Sequence, residues 1–345
     1  KLKSNEWFDI SKNIRIKSFS DWNQDGALLV ELLKKDIIFN QNDGQSRGWS
    51  KTIKNIIKNY KNKFLLRLIN WGDADMINIF DHHQNFILPQ AANKPEVGKQ
   101  YYNLMKSWNC NYAIPFSAFH KYIRKDSIKM NEFITPLKNH TDGFKNTFGN
   151  LLPAFIKWDC IKNDYNKIIV QENNQSPQDP SLFGDNWSDE LDTNDIKTIE
   201  NYFLKIESLK KYWGTISFKV GSKEINIKMS NKHSQILFEA PRKSLMMSIN
   251  KEIFDDMLIG NFMKTTIINK KSLYPNFSPY VAKYSDNGKA SSVKEIKKYF
   301  DYYKINSADY WRDMFLFKTE QIIRDFISPN SLIFKNLKRI KQKIY

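Results

Sequence analysis

Cysteine is nearly missing from this chain: two residues in 345, Cys110 and Cys160, standing in no motif. That excludes a disulfide scaffold and fits a reducing cytoplasm. No apolar run approaches the ~18 residues of a membrane span, so no membrane-crossing segment is expected. No glycine-rich phosphate loop, nucleophile elbow or Cys-x-x-Cys occurs, which leaves P-loop nucleotide hydrolysis and serine or thiol catalysis without support. Arginine is scarce as well, eight of the 54 basic residues. The net charge of +17 is built from lysines scattered among acids, as in Lys34-Lys35-Asp36 and Lys294-Glu-Ile-Lys-Lys298. With abundant Asn and Ile this is the composition of AT-rich coding, and no DNA- or RNA-binding motif accompanies it. No nucleic-acid partner is expected. The basic end, residues 335–345, reads as a solvated helix or tail.

What is present is apolar and aromatic, 41% and 14% of residues, enough for one large core or two ordinary ones. Three short apolar runs each empty into polar residues. Ile37-Ile-Phe-Asn-Gln-Asn-Asp43-Gly44 ends on an aspartate, Tyr112-Ala-Ile-Pro-Phe-Ser-Ala-Phe-His120 on a histidine, and Phe64–Asn70 runs into Trp71-Gly-Asp73-Ala-Asp75. In open α/β sheets the crevice beyond the strand carboxyl ends is where ligands bind. Asp and His are the ligand types of a divalent metal site.

Each of these residues also has a plainer reading. Asp43 is a metal ligand or the hinge of an Asx-turn, since Asn-Asp-Gly is ordinary turn chemistry. His120 is a ligand or proton shuttle, or a packed structural imidazole. Asp73 and Asp75 face one cavity or serve a cap or turn. Arg124 offers a planar fork to a carboxylate or phosphate, or belongs to a surface charge run. His82 and His83 read as loop residues, because neighbours on a strand point to opposite faces.

Along the chain, residues 27–39 read as a hairpin turning at Lys34-Lys35-Asp36. A helix follows over 49–63, a strand over 64–70, a helix over 96–108 and a strand over 111–117, the pattern of an α/β layer. Residues 171–194 are polar, acidic and Pro-containing, and read as a linker. Beyond it the spacing predicts a helix capped at Thr193 or Asn194 and a hairpin over 216–229 turning at Gly221. A strand over 236–239 and helices over 253–262, 293–303 and 310–327 complete the second unit.

Taken together, Gly26-Ala-Leu-Leu-Val-Glu31, Asn40-Gln-Asn-Asp43, Gly72-Asp-Ala-Asp-Met-Ile-Asn78 and Pro115–Ser127 resemble bacterial metallo-β-lactamase-fold hydrolases. The nearest group is the UlaG-like branch with relatives of CMP-N-acetylneuraminate hydroxylase. Asp185–Ser188, Phe238–Leu245, Phe254–Phe262 and Pro279–Tyr284 resemble the C-terminal extension of that group. The resemblance implies an α+β chain: the C-terminal part of an αββα metallo-β-lactamase-like sandwich over 1–170, the 171–194 linker, and an α+β extension over 195–345. It implies Asp43 and His120 as ligands of a divalent metal, zinc first, with iron or manganese as alternatives. Asp73, Asp75 and Arg124 become substrate-facing candidates. The family's His-x-His-x-Asp-His motif is not in this chain, and by this alignment it would precede Lys1, as in an N-terminally truncated piece. No histidine stands in Ser20–Asp25, where the family often has one.

The function so implied is metal-dependent hydrolysis of an ester, lactone or phosphodiester in a small-molecule substrate. The metal would lower the pKa of a bound water toward ~7 and polarise the substrate. The alternatives are a binding or scaffold protein that kept the fold without metals, and an iron oxygenase on the same fold. A cytoplasmic protein is expected, and a homo-oligomer is compatible with the aromatic-rich extension.

Overall fold

The structure is a computed structural model and describes residues 3–22, 25–69, 77–94, 96–117, 119–171, 175–286, 288–327, 331–334 and 336–337. It is an α+β chain with two principal sheets. The first sheet opens as an antiparallel meander of β1 (Trp7–Ser11), β2 (Ile14–Ser20), β3 (Gly26–Leu32) and β4 (Asp36–Asn42). The β3–β4 hairpin lies where alternation placed it, with Ala27, Leu29, Ile37 and Phe39 on the buried face. Its turn puts Leu33 and Lys34 at φ of 52° and 54°, left-handed values that side chains with a Cβ resist.

Parallel strands then extend the sheet, and each needs a crossover. Helix α1 (Ser50–Ile57) leads to β5 (Asn62–Arg67). A two-residue strand β6 (Ile79–Phe80) and α2 (Val97–Trp108) precede β7 (Tyr112–Pro115), and β8 (Asn150–Leu151) closes the edge. The order is β1-β2-β3-β4-β5-β7-β8. Ile53 and Ile57 of α1 and Val97, Tyr101, Met105 and Trp108 of α2 share one core with Phe19, Leu29, Phe39, Leu65 and Ala113 of the strands. Both helices therefore cover the same face. A ribbon of β9 (Ile156–Asp159) and β10 (Asp164–Lys167) stands apart.

The second sheet follows α3 (Thr193–Lys205). It contains β11 (Thr215–Val220), β12 (Lys223–Lys228) and β13 (Gln235–Glu239), then α4 (Arg242–Asn250), α5 (Phe254–Ile259) and β14 (Lys264–Ile268). Its order is β12-β11-β13-β14-β6, so a strand from the first half of the chain completes it. Phe203, Phe218, Phe238, Phe254 and Phe277 pack in its core with ring centroids 5.1 to 6.4 Å apart. Helix α6 (Ser278–Tyr284) belongs to that core, as does the start of α7 (Val293–Asn306). Helix α8 (Tyr310–Phe326) returns to the first sheet, where Tyr303 and Tyr310 bury Trp22.

The α3 cap lies one residue earlier than expected. Asp192 accepts from the backbone N–H groups of Asn194 and Asp195 at 2.9 Å each, and Asp195 returns a bond to the Asp192 N–H. An aspartate at the third helical position thus does the work of the usual Glu or Gln in a capping box. Within 171–194, Asp185 is buried and tied to both halves of the chain: Arg124 Nη1 donates to it at 2.8 Å and Ser244 N at 2.9 Å.

Candidate functional site

The carboxyl ends of β4 and β5 open toward the β2–β3 connection and the loop into α1. Asp21 and Asp25 come from that connection, Arg47 from the α1 approach, Arg67 from the last position of β5. Arg47 Nη1 donates to Asp21 at 3.3 Å and to Asp25 at 3.4 Å, with 9% of its side chain exposed. Burial alone would lower the Arg47 pKa, but Asp21, Tyr274 and Asp25 outweigh it and hold the guanidinium more firmly charged. Tyr299 of α7 donates to the Asp21 carbonyl at 2.7 Å, which fixes the connection from behind.

Arg67 differs. Its Nη1 donates to the Gly44 carbonyl, and its own carbonyl accepts from Tyr101 at 2.6 Å. Burial pushes its pKa down to about 10, with Asp43 and Asp25 pulling the other way. Of the seven described arginines, six form an ion pair with a carboxylate. Arg67, half-buried, is the one that has no such partner among the described residues, and there longer-range charges, Asp43 and Asp25 first, oppose its desolvation. Two buried polar atoms at the end of β4 also lack a hydrogen-bond partner, Gln41 Oε1 and Asn42 Oδ1. Lys283 of α6 completes the group electrostatically. It is 4% exposed, and burial pushes its pKa down to about 8 while Asp21 and Asp25 oppose the shift. Its Nζ donates to the Pro279 carbonyl at 2.8 Å.

The residues singled out in the sequence are placed as follows. Asp43 is exposed, one residue past β4, and accepts from the Asn42 side chain at 2.7 Å. His120 lies five residues past β7, its ring edge-on to Tyr122 at 4.9 Å, and burial lowers its pKa. Arg124 spends its fork inside the molecule, bidentate to Asp126 at 3.0 and 2.8 Å and to Asp185 at 2.8 Å, with its face on Phe262 at 4.0 Å. Asp73 and Asp75 lie outside the described residues. His82 and His83 sit in a turn, where their rings come 3.7 Å apart instead of diverging as on a strand.

Among the described residues the candidate ligands do not assemble into a metal site. Catalytic zinc wants about four ligands with one position open. Among the described residues no three His, Cys, Asp or Glu side chains gather into such a group. Arg67 bonds the residue next to Asp43 and interacts with its carboxylate, so a cation already stands beside the principal candidate ligand. The cluster of Arg47, Arg67 and Lys283 was not anticipated, although a signal existed. In a chain that uses lysine almost everywhere, an arginine marks a place where a planar, always-charged fork is required.

Neither the protein-family models, nor curated proteins, nor solved structures give a match to this chain.

Proposed function

We propose that the protein binds a small anionic molecule in the crevice at the carboxyl ends of β4 and β5, with guanidinium groups in place of a metal as the electropositive centre. The observation that carries this reading is Arg67: a half-buried cation at a strand end, without a carboxylate ion pair among the described residues, beside the unsatisfied polar atoms Gln41 Oε1 and Asn42 Oδ1. A phosphate or carboxylate would supply the missing counter-charge, and bidentate pairing to arginine is the strong form of that contact. Arg47, already braced by Asp21 and Asp25, would steer and orient the anion. The fold belongs to the same proposal. Two sheets, each with helices in its own core, support a metallo-β-lactamase-like αββα plan that has exchanged its metals for arginines. The free thiols Cys110 and Cys160 support a cytoplasmic setting, and no helix among the described residues is long and apolar enough to cross a membrane.

Isothermal titration of the full chain with inorganic phosphate and with citrate tests the proposal. Binding of either, weakened at least about tenfold in Arg67→Gln, is the expected result, since a charged hydrogen bond is worth that much or more. No heat from either anion, or equal affinity in the variant, would sink it. The metal-dependent hydrolase remains the second reading, favoured by Asp43 and His120 both lying just beyond strand ends. Elemental analysis decides it: one or more equivalents of zinc, iron or manganese, lost in an Asp43→Ala, His120→Ala double variant, would replace the arginine reading.

A further inference from the structure

A second polar groove lies away from the crevice, between the β1–β2 edge of the first sheet and α1, with a volume of about 550 Å³. Its sheet wall is Trp7 and Lys17, which stand opposite one another in the β1–β2 register. Its helix wall is Thr52, Asn55 and Asn59, spaced so that they share one side of α1 and its final turn. The opposite side of α1 is spoken for by Ile53 and Ile57 in the core, so this polar row is not needed for packing. Asn5 closes one end, and its Oδ1 is buried without a hydrogen-bond donor.

The charges here are unequal. Arg15, stacked 4.4 Å over Trp7, is neutralised by Glu31 through two bonds of 2.7 Å. Lys17 holds its Nζ 5.5 Å over Trp7 and 5.8 Å over Phe19, and no carboxylate among the described residues pairs with it. Burial and the neighbouring Arg15 lower its pKa, the mark of an ammonium short of counter-charge. The groove therefore offers one cation, three neutral amides and the Thr52 hydroxyl, beside the apolar faces of Trp7 and Ile56 and a Tyr60 hydroxyl already given to Glu31.

We propose that this groove is a binding site for a hydroxyl-rich anion, a sugar phosphate or a sugar acid, with Lys17 taking the acid group and Asn5, Thr52, Asn55 and Asn59 taking the hydroxyls. Amides suit that task because each carries both donors and an acceptor. A bare phosphate would leave the amides unused, and a neutral sugar would leave the ammonium uncompensated. Both should bind less well. The inference goes beyond the crevice reading, because it concerns other residues on another surface.

The test is titration of the full chain, followed by ligand-observed NMR, with glucose 6-phosphate, glucuronate, glucose and inorganic phosphate. At least one of the two acidic sugars should bind at about 1 mM or tighter and at least about tenfold better than glucose and phosphate. Which of the two wins distinguishes a phosphate from a carboxylate ligand. Lys17→Met should weaken that binding about tenfold. So should Asn55→Leu, a change at an exposed helical position that does not threaten the fold. Arg67→Gln should leave it unchanged, which separates this groove from the crevice. The inference is overturned if neither acidic sugar binds, if glucose binds as tightly, or if Arg67→Gln abolishes binding while Lys17→Met and Asn55→Leu do not.

Discussion

Removing the carboxylate of Asp313 should destabilise the protein through a helix more than 250 positions away. Helix α1 has no cap of its own: Trp49 occupies the N-cap, offers no side-chain acceptor, and no acid stands in the first turn. The orphan N–H groups of a helix start must nevertheless be satisfied. Asp309 at the start of α8 does so for the first turn, accepting from Lys51 N at 2.7 Å, and Asp313 holds the approach to the helix, accepting from Gly48 N just ahead of the N-cap at 2.7 Å. The Asp313 side chain is 0% exposed and also accepts from Arg312 Nε at 2.9 Å. Loss of a cap costs about 0.5–2 kcal/mol, and a buried donor left unsatisfied about 1–3 kcal/mol. Asp313→Ala, which strands the buried Gly48 N–H that fixes the approach to α1, should therefore cost about 1–3 kcal/mol. Asp313→Asn, which keeps an acceptor but loses the charge that favours a helix N-terminus, should cost about 1–2 kcal/mol. Chemical denaturation gives the totals, and amide hydrogen exchange should show α1 opening selectively. The two aspartates serve one helix, so the Asp309→Ala, Asp313→Ala pair should depart from additivity. A loss under about 0.5 kcal/mol for Asp313→Ala, or unchanged exchange in α1, would refute capping at a distance.

Arg124→Met should cost about 3–5 kcal/mol in the same denaturation assay, because it strands the fully buried Asp185 carboxylate; a change within experimental error would show that Ser244 alone satisfies it. Lys34→Gly should stabilise by about 0.5–1 kcal/mol, since glycine adopts φ near 54° without a Cβ penalty; a loss of stability would mean that the turn is not strained. Lys283 predicts a pH signature: its folded pKa of about 8 lies below the ordinary 10.5, so between those values the unfolded chain holds a proton that the folded one has shed. Stability relative to Lys283→Met should then be lowest below pH 8 and rise by about 3 kcal/mol toward pH 10.5; a flat difference would show that the amine is not desolvated.

The sequence carried the local elements well. Period-two alternation in 27–39 and 216–229 and the apolar spacing in 49–63, 96–108 and 310–327 depend on neighbours a few positions apart, and hairpins and helices stand there, except that the first helix stops at Ile57 and residues 62–63 already belong to β5. Long-range partnerships were not legible. Nothing in Ile79-Phe80 announces a strand, because two residues form one only when β14 offers its edge. Asp309 and Asp313 look like the N-cap and first-turn acid of their own helix, yet they bind the first turn and the approach of another. In the sequence Arg124 reads as a fork for a carboxylate or phosphate or as part of a surface charge run, and neither reading shows that Asp126, two residues on, and Asp185, 61 residues on, converge on it. The apolar runs place Asp43 and His120 just past strand ends, and both stand there. The cationic character of the crevice was not legible, since the rarity of arginine marks Arg47 and Arg67 one by one but nothing local shows that they and Lys283 converge.

The chain crosses itself twice, β6 going forward to finish the second sheet and α8 coming back to cap and cover the first, and this bears on how it is made. The amide of Gly48 waits for an acceptor 265 residues downstream. At about 5–20 residues per second, that is roughly 10–50 s during which the nascent first sheet holds Trp22 uncovered on the ribosome. Neither half is then an autonomous folding unit, and a cut between them should yield two sticky fragments that regain solubility only when co-expressed. A cell would need a holdase for this protein during translation more than after it.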